Sequence, residues 1–300
     1  MEDGLDYYYT SPAKEKEQKP NDKLMVIVSL TIMFGIFILS AIGSLQTYFF
    51  RNGVETVVGL IGFLFFGGAV WSFFKTATTN AGRVNGYTPV ASVDELEAAK
   101  KRVEDGVLKN KKTCDMMCRV RWCPKCESFR PSRSYHCNKC KMCVERRDHH
   151  CPWVKNCIGK NNYKYFIQFL LYTDLALVVS VTVNIFVLVD STKNKTQDVS
   201  LYAFTTITPS ATGLAFSVLL LLSITLLLIN HLYNIGANVT LMEIIEKERL
   251  LSLNTKMESL VNERVPSYDR GIANNFKEVF GSTFREWVLP VKPKSNVLEV

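Results

Sequence analysis

Cysteine is missing from the whole 300-residue chain outside residues 114–157, where all nine copies fall. That confinement to one segment argues against a disulfide framework. No internal sequence repeat stands out, which argues against a repeat array. The Cys-x2-Cys…His-x3–5-His spacing of nucleic-acid-binding fingers is also absent, so the formal charge of +8 is not by itself a nucleic-acid signal. The first apolar run lacks the short core and small-residue cleavage site of a secretory signal, and a charged segment of about two dozen residues precedes it. It reads as a span that is retained.

What is abundant is apolar sequence. Four stretches, about 24–50, 54–74, 163–189 and 212–235, are long enough to cross a bilayer, which takes roughly 20 residues per helix. Only Arg51-Asn52-Gly53 separates the first two, and two spans with a tight turn are preferred over one re-entrant hairpin. Lys and Arg are dense from Lys75 to Lys160 and in the N-terminal tail, whereas the two opposite loops carry only Arg51, Lys193 and Lys195. The positive-inside rule then puts both termini and the cysteine-rich segment in the cytosol. The positive charge reports this topology and contact with anionic headgroups. The fold class expected is an all-α polytopic membrane protein, with four transmembrane helices and a zinc-binding cysteine-rich domain between helices 2 and 3. The division expected is a tail (1–23), helices 1 and 2 (24–74), a cytosolic loop (75–162, core 121–162), helices 3 and 4 with a short lumenal loop (163–236), and a cytosolic C-terminal region (237–300). Ser92-x-x-Glu95 reads as a capping box opening a helix to about Val107, and 241–261 as an amphipathic surface helix.

The chemistry concentrates between Cys123 and Cys157. The run is Cys123-x2-Cys126-x9-His136-Cys137-x2-Cys140-x2-Cys143-x4-Asp148-His149-His150-Cys151-x5-Cys157, with seven cysteines and three histidines. Cytosolic thiols stay reduced, so these residues are metal ligands or free thiols. A closed structural zinc takes four ligands, and Cys-x2-Cys is the usual knuckle. Two zincs consume eight of the ten and leave one thiol and one imidazole, the minimum for nucleophilic catalysis. His136 and Cys137 are adjacent and point apart on an extended hairpin, which favours two interleaved sites.

Asp148-His149-His150-Cys151, with the upstream cysteines and Cys157-x4-Asn162-x3-Phe166, resembles the DHHC-type protein S-acyltransferases (palmitoyltransferases). The resemblance implies one zinc on Cys123, Cys126, His136 and Cys143 and a second on Cys137, Cys140, His150 and Cys157, both structural. It implies Cys151 as the nucleophile that accepts a palmitoyl group from acyl-CoA, His149 as its base, Asp148 as the partner orienting His149, and Trp153 packed against the acyl thioester. The acceptors implied are substrate proteins with membrane-proximal cytosolic cysteines, at the bilayer and without nucleic acid. The location implied is the endomembrane system, Golgi or endoplasmic reticulum. Tyr268-Asp269-x-Gly271-x3-Asn275-x3-Val279-Phe280-Gly281 resembles the family's C-terminal motif. Two motifs depart from it: Leu241 stands for the second threonine of Thr-Thr-x-Glu, and Asn80-Ala81-Gly82 for Asp-Pro-Gly.

Other readings are weaker. A non-catalytic membrane-anchored zinc scaffold needs no spare His149 and Cys151, and a RING ubiquitin ligase fails on ligand spacing. Cys114 and Cys118 lie outside the pattern and read as extra zinc ligands, acylation sites or solvent-exposed thiols, the last preferred. Arg119, Arg121, Arg130, Arg133, Arg146 and Arg147 suit CoA phosphates, but equally zinc-site thiolates or headgroups. His231 reads as a helix-end residue.

Overall fold

The computed structural model describes residues 53–84, 121–193, 206–253 and 267–293, with scattered positions between 24 and 38. Three long helices, α1 (Gly53–Thr78), α2 (Tyr163–Lys193) and α3 (Thr208–Gly236), are apolar enough to cross a membrane, with mean hydropathies of 2.1, 2.0 and 2.5 in their best windows. Their outward faces carry residues such as Phe63, Leu219 and Leu222, all more than half exposed. Such faces need lipid around them, because large contiguous apolar surfaces are not left in water. These are the only three such helices among the described residues. Positions 24–38 that are described are helical, but the rest of the first expected span lies outside the described residues. So do the tail, the capping-box helix, Cys114 and Cys118.

α2 lies between α1 and α3. Polar pairs join it to α3 inside the membrane: Ser180 Oγ lies 2.8 Å from Ser217 Oγ, and Thr225 donates to Asp174 Oδ2 at 3.0 Å. Hydrogen bonds there have little competition from water. Beyond α3, α4 (Leu241–Leu253), α5 (Ile272–Phe280) and α6 (Phe284–Val288) follow. Phe276, Phe280 and Trp287 stack on one another, with centroids 5.1–6.2 Å apart.

The cysteine-rich module is not helical, which corrects the all-α expectation. It has six three-residue strands: β1 (Arg121–Cys123), β2 (Ser128–Arg130), β3 (Tyr135–Cys137), β4 (Met142–Val144), β5 (His149–Cys151) and β6 (Asn156–Ile158). They pair as three separate antiparallel hairpins, β1–β2, β3–β4 and β5–β6. The hairpins begin 14 residues apart, at 121, 135 and 149, and each turn ends on a residue with positive φ, at Glu127, Lys141 and Lys155. An internal repeat is therefore present, contrary to the sequence reading. It escapes notice because, apart from the first knuckle cysteine and Arg119, Arg133 and Arg147, few positions recur in all three copies, while the strands are too short to impose an alternating pattern.

Two asparagines dock the module on the membrane helices. Asn162 Nδ2 donates to Thr76 O (3.1 Å) and Cys157 O (2.8 Å), while its Oδ1 accepts from Gly159 N (2.9 Å). Asn156 Nδ2 donates to the carbonyls of Thr76, Ala77 and Thr79, orphaned by the end of α1. Gly159 lets the chains approach, since a Cβ there would stand 2.6 Å from Ala81 O. Asn80 replaces the family's aspartate and still forms the turn: its Oδ1 accepts from Gly82 N and Arg83 N at 3.0 and 2.9 Å. Gly82, at φ 109°, supplies the conformation that turn requires.

Asn162 is wholly buried, so replacing it takes a partner from the Gly159 N–H and the Cys157 carbonyl, while Thr76 O keeps Asn156. Asn162→Ala is expected to cost about 3 kcal/mol, given roughly 1–3 kcal/mol per buried group left unpaired. Thermal unfolding in detergent checks this, with the exposed neighbour Asn161→Ala expected to leave the midpoint unchanged.

Candidate active site and metal centres

Each zinc-knuckle donor set is assembled across two hairpins. Cys123 and Cys126 from the first meet His136 and Cys143 from the second. Cys137 and Cys140 from the second meet His150 and Cys157 from the third. In the first set His136 Nδ1 lies 3.2 Å from Cys126 Sγ and 3.6 Å from Cys123 Sγ, and Cys143 Sγ lies 3.8 Å from Cys126 Sγ. In the second, His150 Nδ1 lies 3.3–3.7 Å from the three sulfurs, and Cys140 Sγ lies 3.5 Å from Cys157 Sγ. Tetrahedral zinc, with bonds of about 2.3 Å to sulfur and 2.0 Å to nitrogen, needs ligand–ligand edges of about 3.5–3.8 Å. The donor sets fit that ion in size and kind, and all seven described cysteines are free of disulfides.

Between these sets and the membrane helices lies a third cluster. Asp148 is buried, and its Oδ2 accepts from His149 Nδ1 at 2.8 Å. Its Oδ1 accepts from the backbone N–H of Leu241 at 2.9 Å. With Nδ1 engaged, Nε2 is the nitrogen left for the Cys151 thiol, which lies against the ring. Burial pushes the His149 imidazole down, but its bond to Asp148 and the contact with Cys151 pull it up further, to about 9. Burial raises the Cys151 thiol, but His149 and the backbone N–H groups of Val154 and Trp153 outweigh it and lower it. Asp148 is likewise lowered, burial being outweighed by His149 and the Leu241 N–H. Both shifts favour the thiolate–imidazolium form of the pair.

Two residues that sequence reasoning missed complete the cluster. His231, read as a mere helix-end residue, is buried with its ring centroid 5.9 Å from that of His149 and 5.2 Å from that of Phe166. Tyr163 Oη lies 3.0 Å from His231 Nδ1. A lone histidine 80 residues from the motif carries no spacing signal. Trp153 is about half exposed, and its carbonyl accepts from Ser29 Oγ at 3.1 Å.

The altered Thr-Thr-x-Glu motif has a physical explanation. Thr240 N donates to Glu243 Oε2 (2.8 Å) and Glu243 N to Thr240 Oγ1 (3.3 Å), which is a capping box opening α4. The contact to Asp148 comes from the main chain at position 241, so leucine there preserves it. Glu243 also receives Arg133 Nε and Nη2 at 2.7 and 3.0 Å. Arg146 bonds Glu278 and Asn238, Arg147 bonds His136 O, and Arg130 bonds Ser134 O. These four arginines are engaged as internal struts, bonding groups within the protein. Asn275 ties α3 to the C-terminal motif, donating to Gly236 O (2.7 Å) and accepting from Arg270 N (3.0 Å).

Comparison with known proteins agrees with this geometry. Residues 117–248 match the family described as DHHC palmitoyltransferase. The chain is 30% identical over 224 residues to "Probable protein S-acyltransferase 14" of Arabidopsis thaliana, covering 74% of this chain and 67% of that protein. It is 28% identical over 240 residues to "Palmitoyltransferase PFA3" of Candida glabrata (77% and 71% covered). It is 31% identical over 252 residues to "Palmitoyltransferase ZDHHC20" of Bos taurus (80% and 65% covered). A membrane-embedded scaffold carrying two donor sets of three cysteines and one histidine, with a buried Cys–His–Asp cluster, in a chain with these relatives, belongs to the DHHC palmitoyltransferase family and is a protein S-acyltransferase.

Proposed function

We propose that Cys151 is the nucleophile, His149 its proton partner and Asp148 the residue that orients His149. The supporting observation is the buried chain of contacts from Leu241 N–H through Asp148 and His149 to Cys151. Cys151 thiolate attacks the carbonyl carbon of a palmitoyl-CoA thioester. The carbon–sulfur bond to CoA breaks, and the departing CoA thiolate takes the proton from His149. The neutral imidazole then accepts a proton from the thiol of a substrate protein's cysteine, which attacks the acyl-Cys151 thioester and restores the thiolate. The product carries one acyl chain, whose burial contributes about 0.8 kcal/mol per methylene to membrane anchoring. Trp153 lines the acyl thioester.

The two zincs are closed and structural, on Cys123, Cys126, His136 and Cys143 and on Cys137, Cys140, His150 and Cys157. Four spans, including one in residues 24–50, carry the module on the cytosolic face of Golgi or endoplasmic reticulum membranes. The domain boundaries at 23, 74, 162 and 236 follow from that reading. Acceptors are cysteines of membrane-proximal proteins.

Incubation with labelled palmitoyl-CoA is expected to leave a hydroxylamine-sensitive label on the protein and none on Cys151→Ser. Undiminished label on the variant moves the nucleophile elsewhere. The adjacent histidines should fail differently. His149→Ala keeps two zincs and loses rate by roughly 10²–10⁴, the usual contribution of a positioned proton-transfer group. His150→Ala loses zinc first and activity with it, as metal binding and folding are coupled. Metal analysis beside single-turnover rates separates the two.

The backbone origin of the Asp148 contact makes a sharper test. Leu241 is the first residue of α4, a position where proline is tolerated because its N–H has no intrahelical partner. Leu241→Ala is expected to retain activity. Leu241→Pro deletes one hydrogen bond to a charged acceptor, worth roughly 1.5–3 kcal/mol, and should slow acylation by about tenfold or more with zinc content intact. Equal rates for the two variants refute a role for that N–H.

A further inference from the structure

The three hairpins share more than a fold. In the first, Cys123 and Cys126 hold the knuckle positions; in the second, 14 residues on, Cys137 and Cys140 hold them. In the third, Cys151 occupies the first knuckle position and Val154 the second. The pairing corresponds too: Cys123, Cys137 and Cys151 each end the first strand of their hairpin, opposite Ser128, Met142 and Asn156. Each hairpin therefore presents its first sulfur at the same place in the turn.

Two things separate Cys151 from its counterparts. In the metal centres the next hairpin supplies a histidine and a cysteine, but the third hairpin has no successor and runs into α2. And the second knuckle thiol is replaced by a valine only 1% exposed, packed in the same core cluster as Cys151. Donors are nonetheless close at hand: His149 touches Cys151, and one ligand atom each of Asp148, His149 and His231 lie within 4.8 Å of one another. A cysteine beside two imidazoles and a carboxylate, in a module with two zinc-fitting donor sets within a few residues, is exposed to capture of the same ion. A Zn²⁺ bound there would convert the nucleophile into a ligand.

We propose that Val154 is a metal-excluding residue: the third hairpin is a zinc knuckle disarmed at its second position, and the buried valine keeps Cys151 free for acyl transfer. This rests on the reading of Cys151 as the nucleophile. Valine serves because it fills the knuckle's second site with buried branched carbon and offers no lone pair.

The test restores the missing thiol in the full-length protein. Val154→Cys, purified with a phosphine reductant that prevents a disulfide between Cys151 and the introduced thiol, is expected to bind three Zn²⁺ per chain where the parent binds two. It should lose hydroxylamine-sensitive labelling by at least tenfold, and recover it when a mild chelator removes the weakest ion. Val154→Cys combined with Cys151→Ser should return to two Zn²⁺, which places the third ion on Cys151 by a readout independent of activity. Val154→Ala and Val154→Thr, equally altered in packing but without a thiol, should keep two Zn²⁺ and the label. A reduced Val154→Cys protein that binds two Zn²⁺ overturns the proposal, whether or not it is active, and so does a third ion that persists with Cys151→Ser. Label that survives Cys151→Ser in the otherwise unaltered protein refutes instead the assignment of the nucleophile.

Discussion

The tetrahedral link between consecutive hairpins is the interaction on which the rest of the module depends. An isolated two-stranded hairpin is marginal in water, and each of these has strands of only three residues. Each buries only a few apolar side chains, such as Phe129 in the first, Val144 in the second and Ile158 in the third. Each donor set takes two residues from one hairpin and two from the next, so a metal ion held there would tie the hairpins into a stack with fixed spacing. Metal-binding free energy would then be folding free energy. The third hairpin, which has no knuckle pair of its own, meets the second set through His150 and Cys157 and the end of α1 through Asn156 and Asn162.

That fixation makes the reactive centre possible. Cys151, His149 and Asp148 sit within one turn of residues that the second metal set and the helix ends hold in place. Their own strand therefore has little freedom to lose when the pair reacts. Burial alone would have neutralised every member. Asp148 stays ionised because an imidazole and a main-chain N–H face it, and it in turn favours the protonated form of His149. Asp148 thereby favours the imidazolium beside the Cys151 thiol, in a site closed by Phe166, Tyr163 and His231. The closing residues come from α2 and α3, so the membrane helices are part of the active site's wall and not only its anchor.

The arginines illustrate how a patch of charge in sequence loses its first meaning in three dimensions. Arg133 and Arg146 lie beside zinc-binding segments, yet their donors go to Glu243, Glu278 and Asn238, which stand more than 90 residues away. They bind the module to the segment after α3. Through the capping box of Thr240 and Glu243 they also fix where the Leu241 N–H points. A charge that reads in the sequence as free for phosphate is committed to holding a backbone donor against Asp148.

By itself the sequence determined the apolar spans 54–74, 163–189 and 212–235 nearly to their observed ends, because bilayer thickness sets length and composition directly. It also determined that two four-ligand zincs would leave one thiol and one imidazole over, because coordination number is a count. The membership of each set came from the resemblance to the family, and the structure brings the same residues together. Tertiary structure alone decided the rest. The strands of the module are too short to leave a periodic trace, so its β character and its 14-residue repeat became visible only with the pairing. His231 and Tyr163 reach the site from helices whose sequence separation says nothing about distance. The Leu241 contact is made by a backbone N–H, which every residue but proline possesses, so the change of side chain at that position carried no information about whether the contact survives.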